Sequence, residues 1–214
     1  MIQKNNFHPV NRILFITGTD TGVGKTYFSA LAVHVLRERG VNVAGLKPVC
    51  AGSRDDARVL QKLSRAKLAL DEVNPWHFRA ALAPVLAARQ AGGRVRLREV
   101  IAHVRRVAKR FDTVVVEGAG GLLSPLGENF DSRDLIAALD AWPIVVCPNR
   151  LGAVGQGLLI LAALPKKFAS RASIVLVNQA KPDRASRMNK ALLAEKIGAA
   201  RIYEMPWLKG RRAK

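Results

Sequence analysis

The chain has 214 residues, 49% of them hydrophobic, with 35 Lys and Arg against 16 Asp and Glu, a formal net charge of +19. That length and apolar content suit one domain with a sizeable core and exclude a disordered chain, and no apolar run approaches the roughly 20 residues of a membrane helix. The basic residues fall into separated groups at 94–110, 166–190 and 209–214 and form no single aromatic-interleaved patch, which reads as a solvated surface and argues against a nucleic-acid partner.

In chain order, the first twelve residues lack the apolar core and cleavage pattern of a signal peptide. An apolar run at 13–16 reads as a strand. It leads into Gly18-Thr-Asp-Thr-Gly-Val-Gly-Lys-Thr26 and then a helix over 26–39, apolar at 28, 31, 32, 35 and 36 and stopped by Gly40. Strand, glycine-rich turn and helix opening on Lys-Thr make a phosphate cradle, because backbone N–H groups and the helix dipole converge on an anion. Lys25 would reach the terminal phosphates and Thr26 would ligate Mg²⁺. The common pattern leaves four residues between its first glycine and Gly-Lys-Thr; here there are five.

A weaker strand at 41–46 runs into Lys47-Pro-Val-Cys-Ala-Gly52 and a helix over 55–68 that opens on Asp55 and Asp56. A helix over 97–111 carries Arg and Lys opposite an apolar face. Strands follow at 114–116, 144–146 and 174–177, with a last, weak one at 201–203. The strongest of these are β-branched and continuous rather than alternating, as strands buried on both faces of a parallel sheet are. The segment 155–164 is almost wholly apolar and stops at Pro165, so burial is expected, with a subunit interface as one way to achieve it. A further amphipathic helix is expected over 184–197. The alternation predicts an α/β fold, a P-loop NTPase-like doubly wound, mainly parallel sheet flanked by helices. No linker interrupts it, so residues 1–214 read as a single domain with flexible ends at 1–11 and 209–214. Cys50 and Cys147 form no metal-type cluster and read as small buried hydrophobes, as expected of a cytoplasmic protein.

Ligands of such sheets bind beyond the carboxyl ends of the strands. Glu117, which closes one strand, can face the phosphate loop and hold Mg²⁺ directly or through water, or serve as a helix cap or salt-bridge partner. Asp56 is a second metal candidate and Asp55 its alternative; both also suit a helix N-terminal dipole. Lys47, a strand-end lysine beside Pro48, would repel Lys25 unless an anion lay between them. It is therefore a candidate for stabilising charge that develops in phosphoryl transfer.

These stretches, with Asn74-Pro, Arg150-Leu-Gly152, Val177-Asn178 and Pro206-Trp-Leu208, resemble the dethiobiotin synthase family over about residues 12–208, and the five-residue loop spacing is that family's form. The resemblance implies a ligase of biotin biosynthesis that turns 7,8-diaminononanoate, CO₂ and ATP into dethiobiotin, ADP and phosphate through a carbamate and its phosphorylated anhydride. It implies catalytic Lys25 and Lys47, and Mg²⁺ held by Thr26, Asp56 and Glu117. It implies ATP contacts from Gly22, Val23, Gly24, Lys25, Thr26, Tyr27, Asp56, Glu117, Gly118, Ala119, Gly120, Asn178, Gln179, Pro206, Trp207 and Leu208. Substrate contacts would come from Thr21, Lys47, Ala51, Leu151, Gly152, Ala153 and Val154, the last four serving a neighbouring subunit of a homodimer. Ala51 stands where many relatives carry serine, and Gly22 where some carry an acidic residue. The chain stops six residues after Leu208, where relatives often continue, so a more open base pocket with looser selectivity for ATP is expected. Two other classes compete. Amide-forming synthases carry a glutaminase domain for which 214 residues leave no room. Partition ATPases place a second lysine early in the loop, where 18–21 has none.

Overall fold

The computed structural model describes residues 12–64 and 68–207; the expected flexible ends lie outside these residues. The elements are β1 (Arg12–Gly18), α1 (Lys25–Glu38), β2 (Val43–Leu46), β3 (Val49–Ala51), α2 (Asp55–Leu63), α3 (Leu70–Val73), β4 (Trp76–Phe78), α4 (Pro84–Gln90) and α5 (Leu97–Ala108). They continue with β5 (Thr113–Glu117), α6 (Ser132–Leu139), β6 (Trp142–Pro148), α7 (Ala153–Ala163), α8 (Lys166–Ala169), β7 (Ser173–Val177), α9 (Ser186–Ile197) and β8 (Ile202–Met205).

Six strands form one parallel sheet in the order β2-β5-β1-β6-β7-β8. β5 is buried at all five positions, which requires helices on both faces and explains its unbroken Thr-Val-Val-Val-Glu sequence. The chain leaves β1 toward β2 on one side and later adds β6, β7 and β8 on the other. β1 is therefore where the strand order reverses, and a ligand crevice opens at its carboxyl end. In register, Ile16 lies beside Glu117 of β5 and Ile144 of β6. Phe15, Ile16, Val114, Val115, Val116, Val145 and Val146 form the centre of the core. Burying each such side chain contributes about 1.5–3 kcal/mol.

The structure departs from the expected elements in instructive ways. α5 ends at Ala108, so Lys109 and Arg110 lie beyond it and off the helix expected over 97–111. α6 has no counterpart among the expected elements, although Asp131 caps it by accepting from the Arg133 and Asp134 N–H groups, a capping box that leaves a sequence trace. A second, two-stranded parallel sheet pairs β3 with β4; three-residue strands carry no readable periodicity. α7 was expected to be buried, yet in a single chain it buries Ala153, Gly157 and Leu161 and leaves Leu159 71% exposed. Among the described residues, no helix is long and apolar enough to cross a membrane.

Candidate active site at the carboxyl ends of the strands

The loop after β1 wraps its own lysine. Gly24 has φ 99°, in the left-handed region that glycine enters without strain, and α1 starts at the next residue. The Lys25 ammonium donates to the Asp20 carbonyl at 2.7 Å. Burial and then the like charge of Lys47 lower its pKa to about 8. An anion in the loop would reverse that effect.

Opposite the loop, Glu117 ends β5 fully buried. Its Oε1 accepts from the Thr26 hydroxyl at 2.7 Å and from the Lys47 ammonium at 2.6 Å. The Lys47 ammonium also lies 2.7 Å from Asp56 Oδ2. Burial pulls the Lys47 pKa down, but Glu117 and Asp56 more than offset it, and it stands above the ordinary lysine value. Glu117 Oε2 is buried with no hydrogen-bond partner among the described residues. A buried carboxylate oxygen left so costs free energy unless something binds it. Asp55, one helical position from Asp56, turns outward to Arg58 at 2.8 Å.

Backbone features hold these groups. Asn74, fully buried, donates to the Lys47 carbonyl at 2.7 Å and accepts from Arg54 Nε at 3.0 Å. It pins the turn that aims Lys47. At Gly118 a Cβ would stand 2.8 Å from Ser132 Oγ and 3.2 Å from Phe15, so only glycine lets the chain leave β5 this close to the core.

A cavity of about 870 Å³ collects Thr21, Gly22, Gly24, Lys25, Thr26, Tyr27, Lys47, Ala51, Asp56, Glu117, Ala119 and Gly120. Val23 and Gly118 lie outside the lining as supports, with Val23 buried. The structure adds Cys50, Ser53, Ala81, Leu82, Ala83, Pro84, Ser124 and Pro125. These escaped the sequence reading because they reach the cavity through the small sheet and through a turn in which Ser124 Oγ accepts from the Gly121 N–H. Serine and proline just after a glycine run were the one available signal.

Two expected groups sit elsewhere. Asn178, Gln179, Pro206 and Trp207 follow β7 and β8, beside the loop rather than in this cavity. The side chains of Val177 and Met205 face Gly24, whose Cβ would meet them at 3.4 and 4.0 Å. Leu208 lies outside the described residues. Leu151 and Gly152 precede α7 and Ala153 and Val154 open it, with Leu151 75% exposed and Ala153 fully buried, and the four do not line the cavity. Among the described residues, no three His, Cys, Asp or Glu side chains converge as a metal site; the cation-binding chemistry on offer is two carboxylates and a hydroxyl.

A family model described as an AAA domain matches residues 12–213. An ATP-dependent dethiobiotin synthetase of Akkermansia muciniphila is 38% identical over 195 residues, 91% of this chain and 92% of that protein. The enzyme of the same name from Anaeromyxobacter dehalogenans is 39% identical over 202 residues, 92% of this chain and 90% of its own length. Among solved structures, a ParA family ATPase from Chlorobium tepidum superposes with TM-score 0.57 at 14% identity, covering 94% of this chain and 86% of that one. The MinC:MinD cell division complex of Aquifex aeolicus gives TM-score 0.59 at 15% identity, covering 92% and 82%. At those identities the two structures report the fold alone.

Proposed function

We propose, for a chain that belongs to the ATP-dependent dethiobiotin synthetase family, that its strand-end cavity carries out the ring closure that family's name denotes. The enzyme is a ligase: ATP-dependent, it forms dethiobiotin from 7,8-diaminononanoate and CO₂. The observation that carries the site assignment is the buried pair Lys47 and Glu117, joined to Thr26 and the half-buried Asp56 and facing Lys25 across one cavity.

Each chemical step needs position and charge rather than a protein nucleophile. One amine of the substrate adds to CO₂, loses a proton and becomes a carbamate. A carbamate oxygen attacks the γ-phosphorus of ATP, and ADP leaves. The second amine attacks the carbamate carbon, its proton leaves with the phosphate, and the cyclic urea closes. Lys25 lies against the terminal phosphates, and Lys47 neutralises charge on the carbamate and the transferring phosphoryl group. Gly22, Gly24, Tyr27, Ala119 and Gly120 enclose the nucleotide, with Val23 and Gly118 supporting them. Thr21 and Ala51 face the diamine.

Thr26, Asp56 and Glu117 fit Mg²⁺. The support is Glu117 Oε2, which has no hydrogen-bond partner among the described residues, and the preference of this ion for one or two carboxylates plus substrate phosphates. Bound there, the ion would neutralise charge on the phosphate oxygens. Asn178, Gln179, Pro206 and Trp207 form the base-contacting side, supported by their place next to the loop.

A homodimer completes the reading. It is supported by the exposed Leu159 on the mostly apolar α7, by the exposed Leu151 just before that helix, and by the position of Leu151 to Val154 outside the chain's own cavity. The setting proposed is cytoplasmic, and the chain one domain. ATP turnover with 7,8-diaminononanoate and bicarbonate, with and without Mg²⁺, should yield dethiobiotin by mass only when all are present. ATP hydrolysis indifferent to the diamine would refute the assignment, and light scattering at the monomer mass would remove the dimer.

A further inference from the structure

Outside the phosphate cavity, three asparagines from separate parts of the chain form one hydrogen-bonded line. Asn149 follows β6 and Asn189 lies on α9, 1% and 6% exposed; Asn178, half-buried, follows β7. Asn189 Nδ2 donates to the Arg150 carbonyl and to Asn149 Oδ1, both at 2.9 Å. Asn149 Nδ2 donates to the Ser186 carbonyl at 3.0 Å and to Asn178 Oδ1 at 2.7 Å.

The nitrogen and oxygen of an asparagine amide are nearly alike in shape, so only their partners decide which end points where. Here two partners are backbone carbonyls, which can only accept. The Arg150 carbonyl sets the nitrogen of Asn189, and the Ser186 carbonyl sets the nitrogen of Asn149. The direction of every bond in the line follows, and it ends by turning the oxygen of Asn178 toward Asn149. The anchor is itself held, since Asp183 Oδ1 accepts from the Ser186 N–H at 2.6 Å and the Asp183 carbonyl accepts from the Ser186 hydroxyl at 2.7 Å. The backbones are tied as well: the Asn149 N–H donates to the Val177 carbonyl and the Asn178 N–H to that of Met205. No group among the described residues takes Asn178 Nδ2.

We infer that Asn149 and Asn189 are positioning residues for nucleotide selectivity: they lock the amide of Asn178 in one orientation, which suits an adenine edge. This rests on the reading above that Asn178 contacts the base. The locked amide offers two hydrogens on Nδ2 and the second lone pair of Oδ1, in a fixed order. Adenine presents its 6-amino donor beside a ring-nitrogen acceptor, N7 or N1, and matches one order of acceptor and donor. A 6-oxo purine places an acceptor where adenine has the amino group. A free amide could turn over to suit it; a locked one cannot.

The test is kcat/KM for ATP and for inosine triphosphate, with 7,8-diaminononanoate and bicarbonate, in the full chain and three variants. The unaltered chain should prefer ATP. Asn149→Asp replaces the donor facing Asn178 with an acceptor of the same shape, so the Asn178 amide must reverse. The ATP-to-inosine-triphosphate ratio should then fall about tenfold, with the loss in KM for ATP. Asn189→Ala loosens Asn149 and should lower the ratio less. A variant that merely folds poorly would lose both nucleotides alike and keep the ratio, which is why two relay variants are compared. If Asn178→Ala lowers the ratio while folded Asn149→Asp and Asn189→Ala both keep it, the relay is overturned and the base contact stands. If Asn178→Ala keeps the ratio, or the unaltered chain shows no preference for ATP, the base contact itself fails and the relay with it.

Discussion

The two sides of the phosphate loop are built from opposite materials. On the β5 side, Lys47, Glu117 and Asp56 meet within 2.7 Å as charges. On the β7 side, Asn149, Asn178 and Asn189 meet as neutral amides. Charge acts strongly at low dielectric and depends little on angle. It suits a reaction in which negative charge moves between carbamate and phosphate. Amides act weakly but have direction, so they suit telling one base edge from another. Changes on the charged side should therefore strike kcat, and changes on the neutral side KM and selectivity.

The largest expected effect is at Lys47. Lys47→Ala and Lys25→Ala should each remove most dethiobiotin formation, about 10²–10³-fold in kcat, with circular dichroism unchanged. A folded Lys47→Ala variant with full activity would end the mechanism above. The same variant leaves Glu117 buried beside Asp56 without its cation. It should lose stability, and added Mg²⁺ should raise its melting temperature more than that of the parent chain.

Glu117→Gln comes next. It keeps the shape and removes the charge, so the Mg²⁺ concentration giving half-maximal rate should rise by about tenfold or more. An unchanged Mg²⁺ response would move the metal away from Glu117.

The Lys25 ammonium, held down to about 8 by burial and the charge of Lys47, should be raised when phosphates bind. Below pH 8 it is charged in both states and the affinity for ATP is level in this respect. Above pH 8 binding must take up a proton, and affinity should fall by up to tenfold per pH unit. Titration calorimetry in two buffers of different ionisation heat would show the uptake at pH 9; no uptake would mean that the lysine is charged throughout.

Asn74→Ala removes the clamp on the Lys47 turn without touching a charge. A loss of about 1–3 kcal/mol in chemical unfolding is expected. The smallest effect separates two adjacent carboxylates. Asp55→Asn should leave the rate within about twofold, since its exposed partner Arg58 contributes little, whereas Asp56→Asn should lower it. Equal effects would mean that the facing of α2 does not matter.

Much of the sheet was legible because its signal is local. The β-branched runs at 114–116, 144–146 and 174–177 became buried parallel strands, and the glycine loop runs from β1 into α1, which opens on Lys25 and Thr26 where strand and helix patterns meet. The small β3–β4 sheet was not legible, since three residues carry no period. Nor was the cavity wall from Ala81 to Pro84, which no local pattern marks. The apolar run of α7 was read correctly as apolar, but its exposure in one chain depends on what packs against it.

By itself the sequence determined the strands of the large sheet, the phosphate loop and the list of strand-end residues with chemistry to offer, because these follow from hydrophobic period and backbone freedom within a few residues. Tertiary structure alone decided which of them meet. Lys47 and Glu117 are 70 positions apart and Asn149 and Asn189 40 apart, and Asp56 faces the cavity while Asp55 does not only because of how α2 is rotated against the sheet. Distance along the chain carries no information about such contacts until packing closes them.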